Sequence, residues 1–293
     1  MGVFKGTYKK KSYFEGWYFR NQNDNGVISF IPAFHIDENG GKSASIQLIM
    51  NNISDQIIYP IKDFAVSTKK FGVKIGKNIF TDKGILLNLK TKETTVIGKL
   101  YYSRFVPLRY DIMGPFKFLP FMQCRHSVYS LAHNITGCLM VNGKRICFDQ
   151  GLGYVEGDRG IEFPDDYMWT QSSWYDKGNN SLMISVADVP IGKVRFKGCI
   201  GLVYYRGKEY RLATYLGSRI IKYSKNELWV QQRGYDLQVT LIDENPHNLL
   251  APVKGKMTRT VYESIDCRVA YRFMVDNNVI FDFVTRGSFE RGM

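Results

Sequence analysis

Val269-Ala-Tyr-Arg-Phe-Met-Val275 decides the fold class. Its large residues, Val269, Tyr271, Phe273 and Val275, fall at every second position, the period of a half-buried strand. Similar apolar runs cover Val27–Phe34, Ser43–Met50, Gly84–Leu89, Ser181–Val186, Gly198–Tyr205 and Val279–Val284. Between them stand turn signals: Asn23-Asp-Asn-Gly26, Asp37-Glu-Asn-Gly-Gly41, Val141-Asn-Gly-Lys144, Lys177-Gly-Asn-Asn180, Arg206-Gly-Lys208 and Asp276-Asn-Asn278. Asn142-Gly143 is the strongest, because both residues tolerate the positive φ of a type I′ hairpin. No amphipathic helix exceeds about three turns. Short helical turns are expected near Pro164–Tyr167 and Pro246–Leu250. The chain therefore reads as all-β and antiparallel, in two β lobes of barrel or sandwich type with few short helices. An N-terminal lobe is placed at 1–160 and a C-terminal lobe at 161–293, with strands that the lobes can share.

The bulk properties agree with a folded, soluble chain. Of 293 residues, 44% are hydrophobic, and the 14% aromatic share suits pleated surfaces or a large apolar pocket. The net charge of +13 permits an anionic partner. Only Lys9-Lys10-Lys11 forms a basic run, so a solvated basic surface is the simpler reading and nucleic acid ranks last among partners. Five cysteines in odd number, with no CxxC pair, give neither a zinc spacing nor a disulfide framework. They read as ordinary residues of a reducing compartment. No apolar signal region, myristoylation pattern or transmembrane run is visible, so a cytoplasmic location is expected.

Residues 104–123 are apolar yet carry Pro107, Pro115 and Pro120, which exclude a central strand. They read equally as a packed crossover or as a cap over a pocket or against a membrane. Glu15-Gly-Trp-Tyr-Phe-Arg20 and Met168-Trp-Thr-Gln-Ser-Ser-Trp-Tyr175 form a weak echo half a chain apart, consistent with duplication or with chance.

Chemistry points to carboxylates. GxSxG, βα-type GxGxxG and Walker signatures are absent. The four histidines lack metal-ligand spacing, and His126 and His133, an odd number of residues apart, face opposite ways on a strand. No metal or cofactor is expected. The stretch Gly153-Tyr-Val-Glu-Gly-Asp-Arg-Gly-Ile-Glu-Phe-Pro-Asp-Asp-Tyr-Met-Trp-Thr-Gln171 crowds acids and Arg159 into what reads as a glycine-rich loop. A strand carrying Trp169 and Gln171 on one face follows. Glu15 lies among aromatic residues, where a carboxylate stays protonated unless it is paired, with Arg20 or Arg159 as candidate partners. Glu156 and Asp158 are either turn formers or acids at a pocket mouth. Gln171 needs a partner if buried. Glu290, close to the C-terminal end, reads as exposed.

Taken together, these stretches resemble the tocopherol cyclase family. Phe14-Glu-Gly-Trp-Tyr-Phe19 looks like its first strand motif. A middle segment runs from His126 through Gly137 and Asn142-Gly143 to Glu156, followed by Gly160, Phe163-Pro164, Trp169 and Gln171. Leu250-Ala-Pro252 and Gly287–Glu290 match near the end. The resemblance implies a two-lobed, lipocalin-like architecture, distantly similar to carotenoid hydratases. It also implies cofactor-free cyclisation, in which an acid protonates the alkene of a prenylated hydroquinone and the phenol oxygen captures the cation. On that reading Glu15 and Glu156 are the candidate acids. Trp17, Tyr18 and Trp169 are pocket walls, and His126, Asp158, Arg159, Gln171 and Glu290 further ligand-binding residues. The partner is a lipophilic small molecule, reached by peripheral contact with an anionic membrane, and no obligate protein partner is indicated. The chain departs from the family at Arg159, where a tryptophan is usual, and lacks insertions found in the plant enzymes. A fixed cation suits an anionic ligand group or holds a carboxylate ionised. The alternative is therefore a non-catalytic carrier of a lipophilic ligand.

Overall fold

The computed structural model describes residues 4–50, 53–119, 122–191 and 194–292. These residues form an antiparallel all-β structure of two sheets, and the helices among them are short 3-10 segments. The chain divides into two compact units. Unit 1 comprises residues 1–109, 123–163 and 249–260, and unit 2 comprises 110–122, 164–248 and 261–293. Both units are discontinuous: 110–122 groups with unit 2 and 249–260 with unit 1.

The twelve-stranded sheet belongs to unit 1. It begins with β1 (Tyr13–Asn23), β2 (Gly26–Ile36), β3 (Lys42–Met50) and β4 (Ile53–Pro60). Then come β5 (Phe64–Val66), β6 (Gly72–Ile75), β7 (Asn78–Thr81), β8 (Gly84–Lys90) and β9 (Thr95–Tyr102). It ends with β10 (Cys124–Val141), β11 (Lys144–Cys147) and β12 (Gly151–Gly160). The strand order is β4-β3-β2-β1-β12-β10-β9-β8-β7-β6-β5, with β11 paired to β10. The path is open, ending on β4 and β5, so the expected barrel is not closed by hydrogen bonds. One face carries the core: Phe19, Phe30 and Phe80 are fully buried, with Phe19 and Phe80 ring centroids 5.3 Å apart. Each such ring removed from water contributes roughly 1.5–3 kcal/mol.

The ten-stranded sheet contains β13 (Tyr167–Tyr175), β14 (Asn179–Ile191), β15 (Val194–Tyr205), β16 (Lys208–Ala213) and β17 (Arg219–Tyr223). It continues through β18 (Glu227–Gln232), β19 (Tyr235–Asp243), β20 (His247–Val253), β21 (Lys256–Val275) and β22 (Asn278–Gly292). Its order is β16-β15-β14-β13-β22-β21-β19-β18-β17, with β20 paired to β21. The alternation in β21 holds: Val269, Tyr271 and Phe273 are fully buried, while Arg268 and Arg272 are exposed. Both sheets follow one plan. A four-strand meander opens each, and its first strand pairs with the last strand of the same sheet. The echo between β1 and β13 is therefore topological.

The two-residue turns behave as their chemistry dictates. Asn142 and Gly143, Arg206 and Gly207, and Asp276 and Asn277 all have positive φ, as a tight hairpin requires. Three sequence expectations fail. Residues 164–166 are a bend, and 247–253 form β20, so neither is helical; the 3-10 turns occur instead at Gly6–Tyr8, Ile61–Asp63, Gly114–Phe118 and Thr214–Leu216. Cys138 and Cys147 form a disulfide. They are register partners flanking the Asn142-Gly143 turn, so the hairpin brings them together without any CxxC spacing. Cys124, Cys199 and Cys267 carry thiols. Lastly, 153–160 is strand, not loop. Its glycines answer to crowding rather than to turning: a Cβ at Gly153 would lie 2.1 Å from His133 Nε2, and one at Gly160 would lie 1.9 Å from the Gln123 carbonyl oxygen.

The apolar segment 104–123 is a crossover, with Pro115 in the first turn of the 3-10 helix Gly114–Phe118; Pro120 lies outside the described residues. No helix among the described residues is long and apolar enough to cross a membrane.

Candidate functional site

Strand β12 places Tyr154, Glu156 and Asp158 at alternate positions, hence on one sheet face. That face lies opposite the one that carries Val155 into the core. On β1 the register sets Tyr18 across from Glu156. On β10 it sets His126 across from Asp158. The strand reading of 153–160 thus converts a run of acids in sequence into a cluster with a neighbouring histidine.

His126 lies between the two carboxylates. Its Nδ1 is 3.0 Å from Asp158 Oδ1 and its Nε2 is 3.1 Å from Glu156 Oε2. Glu156 also accepts a 2.6 Å hydrogen bond from the Tyr154 hydroxyl. His126 and Glu156 are both buried, and Asp158 is half-buried. Burial opposes a charge on His126, but Asp158 and Glu156 together outweigh it and hold the imidazole protonated well above its usual range. Burial, with the adjacent Glu156, pushes the Tyr154 hydroxyl up, so it stays a donor. The result is a buried array of carboxylate, imidazolium, carboxylate and phenol.

His126, Glu156 and Asp158 each offer a ligand atom, all within 4.8 Å of one another, a grouping that could hold a metal ion. The histidine spacing gave no sign of it, because the carboxylates come from the neighbouring strand. A cation there must first displace the His126 proton, which the same carboxylates favour.

Glu15 occupies the other face of the sheet. Its register partner on β12 is Arg159, not Glu156. Glu15 Oε2 accepts hydrogen bonds from Lys5 N at 2.9 Å, Gly6 N at 3.2 Å and the Tyr13 hydroxyl at 2.7 Å. Burial nonetheless raises the Glu15 carboxyl above its ordinary value, against the opposing effects of these donors and of Arg159. Arg159 itself donates to Ser127 Oγ at 3.1 Å. Trp17 shares this face and belongs to the unit 1 core, with Phe4 at 6.3 Å between ring centroids. The two candidate acids are therefore separated by the sheet.

Tyr18 accepts from Ser29 Oγ at 3.1 Å and is buried. In unit 2, Trp169 of β13 is buried and faces Glu290 of β22 in register. Glu290 accepts from the Tyr167 hydroxyl and is half-buried, not exposed. Gln171 is fully buried; its Nε2 donates to Ser173 Oγ at 2.8 Å, while its Oε1 has no hydrogen-bond partner among the described residues. Trp169, Gln171 and Glu290 thus form one polar sheet face in unit 2. His133 lies opposite His126 on β10, as spacing predicts, with register partners Gly153 and Asp158 five residues apart. Sequence reasoning missed Tyr154 and Tyr13, the hydroxyl donors to Glu156 and Glu15. Both stand two residues from their acids, the spacing of a shared strand face; for Tyr154 that spacing is readable only once 153–160 is a strand.

No protein-family model matches the chain, and no curated protein matches it. Among solved structures it is similar to a Nitrosomonas europaea protein provisionally described as AttH, with 14% identity and a TM-score of 0.55 over 95% of this chain and 92% of that one. A Nostoc punctiforme protein of the DUF3598 family, of unknown function, aligns over 96% of this chain and 94% of its own at 10% identity. Its TM-score of 0.18 carries no weight. At these identities the first likeness is one of fold alone.

Proposed function

We propose that the chain is a tocopherol cyclase-like acid catalyst that cyclises a prenylated or other lipophilic small molecule without a cofactor. The observation that carries this reading is His126 held between Glu156 and Asp158, 3.1 and 3.0 Å from their oxygens. The proton that His126 holds beside Glu156 passes through the Glu156 carboxyl to the alkene, which leaves the imidazole neutral as the substrate cation forms. Asp158 and the Tyr154 hydroxyl keep the imidazole and the Glu156 carboxylate in place. The Glu156 carboxylate faces the tertiary cation, and as the ring closes it passes the phenol proton back to His126. The proton given is recovered, and no electron changes hands. Arg159, set on the face with Glu15, does not share a side of β12 with Glu156, which removes the main objection to a substrate cation there. Net charge of +13 supports visits to anionic membranes where such substrates partition.

The test is incubation of a prenylated hydroquinone with the protein in D2O, read by mass spectrometry. An isomer carrying one carbon-bound deuterium is expected, and Glu156→Gln lowers its rate by about 10²–10⁴-fold. A second reading, a carrier of a lipophilic ligand, is favoured by one observation: every member of the array is already partnered within the protein. An unchanged lipid extracted from the pure protein, with no deuterated product, would establish that reading instead.

A further inference from the structure

A second polar site lies in unit 1, with no lining residue in common with the acid array. Strands β2, β3 and β4 bring His35, Ser45 and Gln56 onto the sheet face opposite the core. A groove of about 380 Å³ opens there, closed on one side by the turn at Gly255 and the start of β21. That volume is within the range of small-molecule sites.

Two side chains lining it are unsatisfied. His35 is only 5% exposed, and its Nε2 pairs with Ser45 Oγ at 2.8 Å, but its Nδ1 has no partner among the described residues. Gln56 Nε2 likewise has none. Buried polar atoms left unmatched are rare in folded proteins, and a groove that collects two of them is built to receive something. In the tautomer where Ser45 Oγ donates to Nε2, His35 Nδ1 carries the ring proton, and both unmatched atoms are then donors. Their complement is an acceptor. The rim adds two exposed lysines, Lys42 and Lys256. Of the acids nearby, Asp37 is held by the backbone amides of Asn39 and Gly41, and Glu38 reaches Lys256 only at 3.9 Å.

We propose that this groove binds a small organic carboxylate whose oxygens accept from Gln56 Nε2 and His35 Nδ1, with Lys42 and Lys256 supplying charge at the rim. Donors on the floor and cations at the edge match a carboxylate in both hydrogen bonding and sign. Burial holds the free imidazole down at about 4, so it is neutral at physiological pH. A carboxylate beside it favours its protonation, which gives a spectroscopic handle.

The test titrates the isotopically labelled full chain with acetate, succinate and benzoate, following the His35 ring nitrogens by NMR. Saturable shifts at His35 are expected with at least one of them. Gln56→Glu, which sets a like charge against the ligand, weakens that binding by about tenfold or more, the scale of one charge-assisted hydrogen bond. Lys42→Gln, a change at the exposed rim, weakens it less and guards against a folding defect in the first variant. Absence of saturable shifts with all three carboxylates overturns the proposal. So does equal binding of glycerol or inorganic phosphate, or binding that neither substitution weakens.

Discussion

Glu15 and Glu156 stand on paired strands but leave the sheet on opposite faces, since Glu15 opposes Arg159 and Glu156 opposes Tyr18. The two acids therefore answer to different environments. Glu15 anchors the segment at Lys5 and Gly6, whereas Glu156 sits with His126 and Tyr154. Burial raises the Glu15 carboxyl above its ordinary 4.5. Its contribution to stability is thus fully present below that ordinary value and is lost as pH rises through the raised one. Glu15→Gln keeps the shape and an acceptor oxygen but removes the ionisation. We expect thermal unfolding of the variant to lose this part of the pH slope, while turnover of a prenylated substrate stays intact. Melting curves collected across the acid range decide it, and an unchanged slope would show that Glu15 is not buried as described.

His126 carries a dependence of the same sign, starting from a higher pH. Its folded-state pKa is raised by Asp158 and Glu156 despite burial. Its stabilising effect is complete below the ordinary 6.5 and disappears as pH climbs through the raised value. NMR of the ring is expected to show an imidazolium that persists above neutrality. His126→Gln leaves the buried Glu156 and Asp158 without their cation and costs about 3 kcal/mol or more. A ring already neutral at pH 7 would contradict the array.

Much of the fold was legible because its signals are local. The positive-φ pairs Asn142-Gly143 and Asp276-Asn277 announced hairpins, and the alternation at Val269–Phe273 announced a half-buried strand. The candidate site was legible in membership but not in arrangement. Glu156, Asp158 and His126 were all singled out, yet the glycines around them signalled a loop. Only the approach of His133 to Gly153 and of the Gln123 carbonyl to Gly160 explains glycine in a strand there, and these are contacts between strands distant in sequence. The split between Glu15 and Glu156 depends on the pairing of β1 with β12, across about half the chain, which no local pattern encodes.

Cys138 and Cys147 offer a chemical check on the β10–β11 hairpin. Of five cysteines, three carry thiols. Thiol titration of the denatured protein is expected to find three reactive groups before reduction and five after it. Replacing both partners by serine costs about 1–3 kcal/mol. The lower part of that range is expected, because the Asn142-Gly143 turn and the neighbouring ladder already restrict the loop. Five reactive thiols without reductant would refute the bridge.

Arg211 governs the segment that crosses into unit 2 at residue 110. Its guanidinium is buried, pairs with buried Glu209 at 2.8 Å and stacks 3.5 Å from the Tyr110 ring centroid. It also donates to the Asp111 carbonyl at 3.0 Å and to that of Tyr110. Tyr215 adds a hydroxyl bond of 2.9 Å to the Ile112 carbonyl. Four contacts thus fix a stretch that has no strand partner of its own. Arg211→Met preserves the aliphatic stem but removes the buried cation beside Glu209, at a cost of about 3–5 kcal/mol. Arg211→Lys keeps the charge but cannot stack as a plane or reach both carbonyls. Hydrogen exchange of the amides from 112 to 119 should therefore rise in both variants, with unit 2 destabilised chiefly in the methionine variant. Unchanged protection in both would show that the segment is held by its apolar side chains instead.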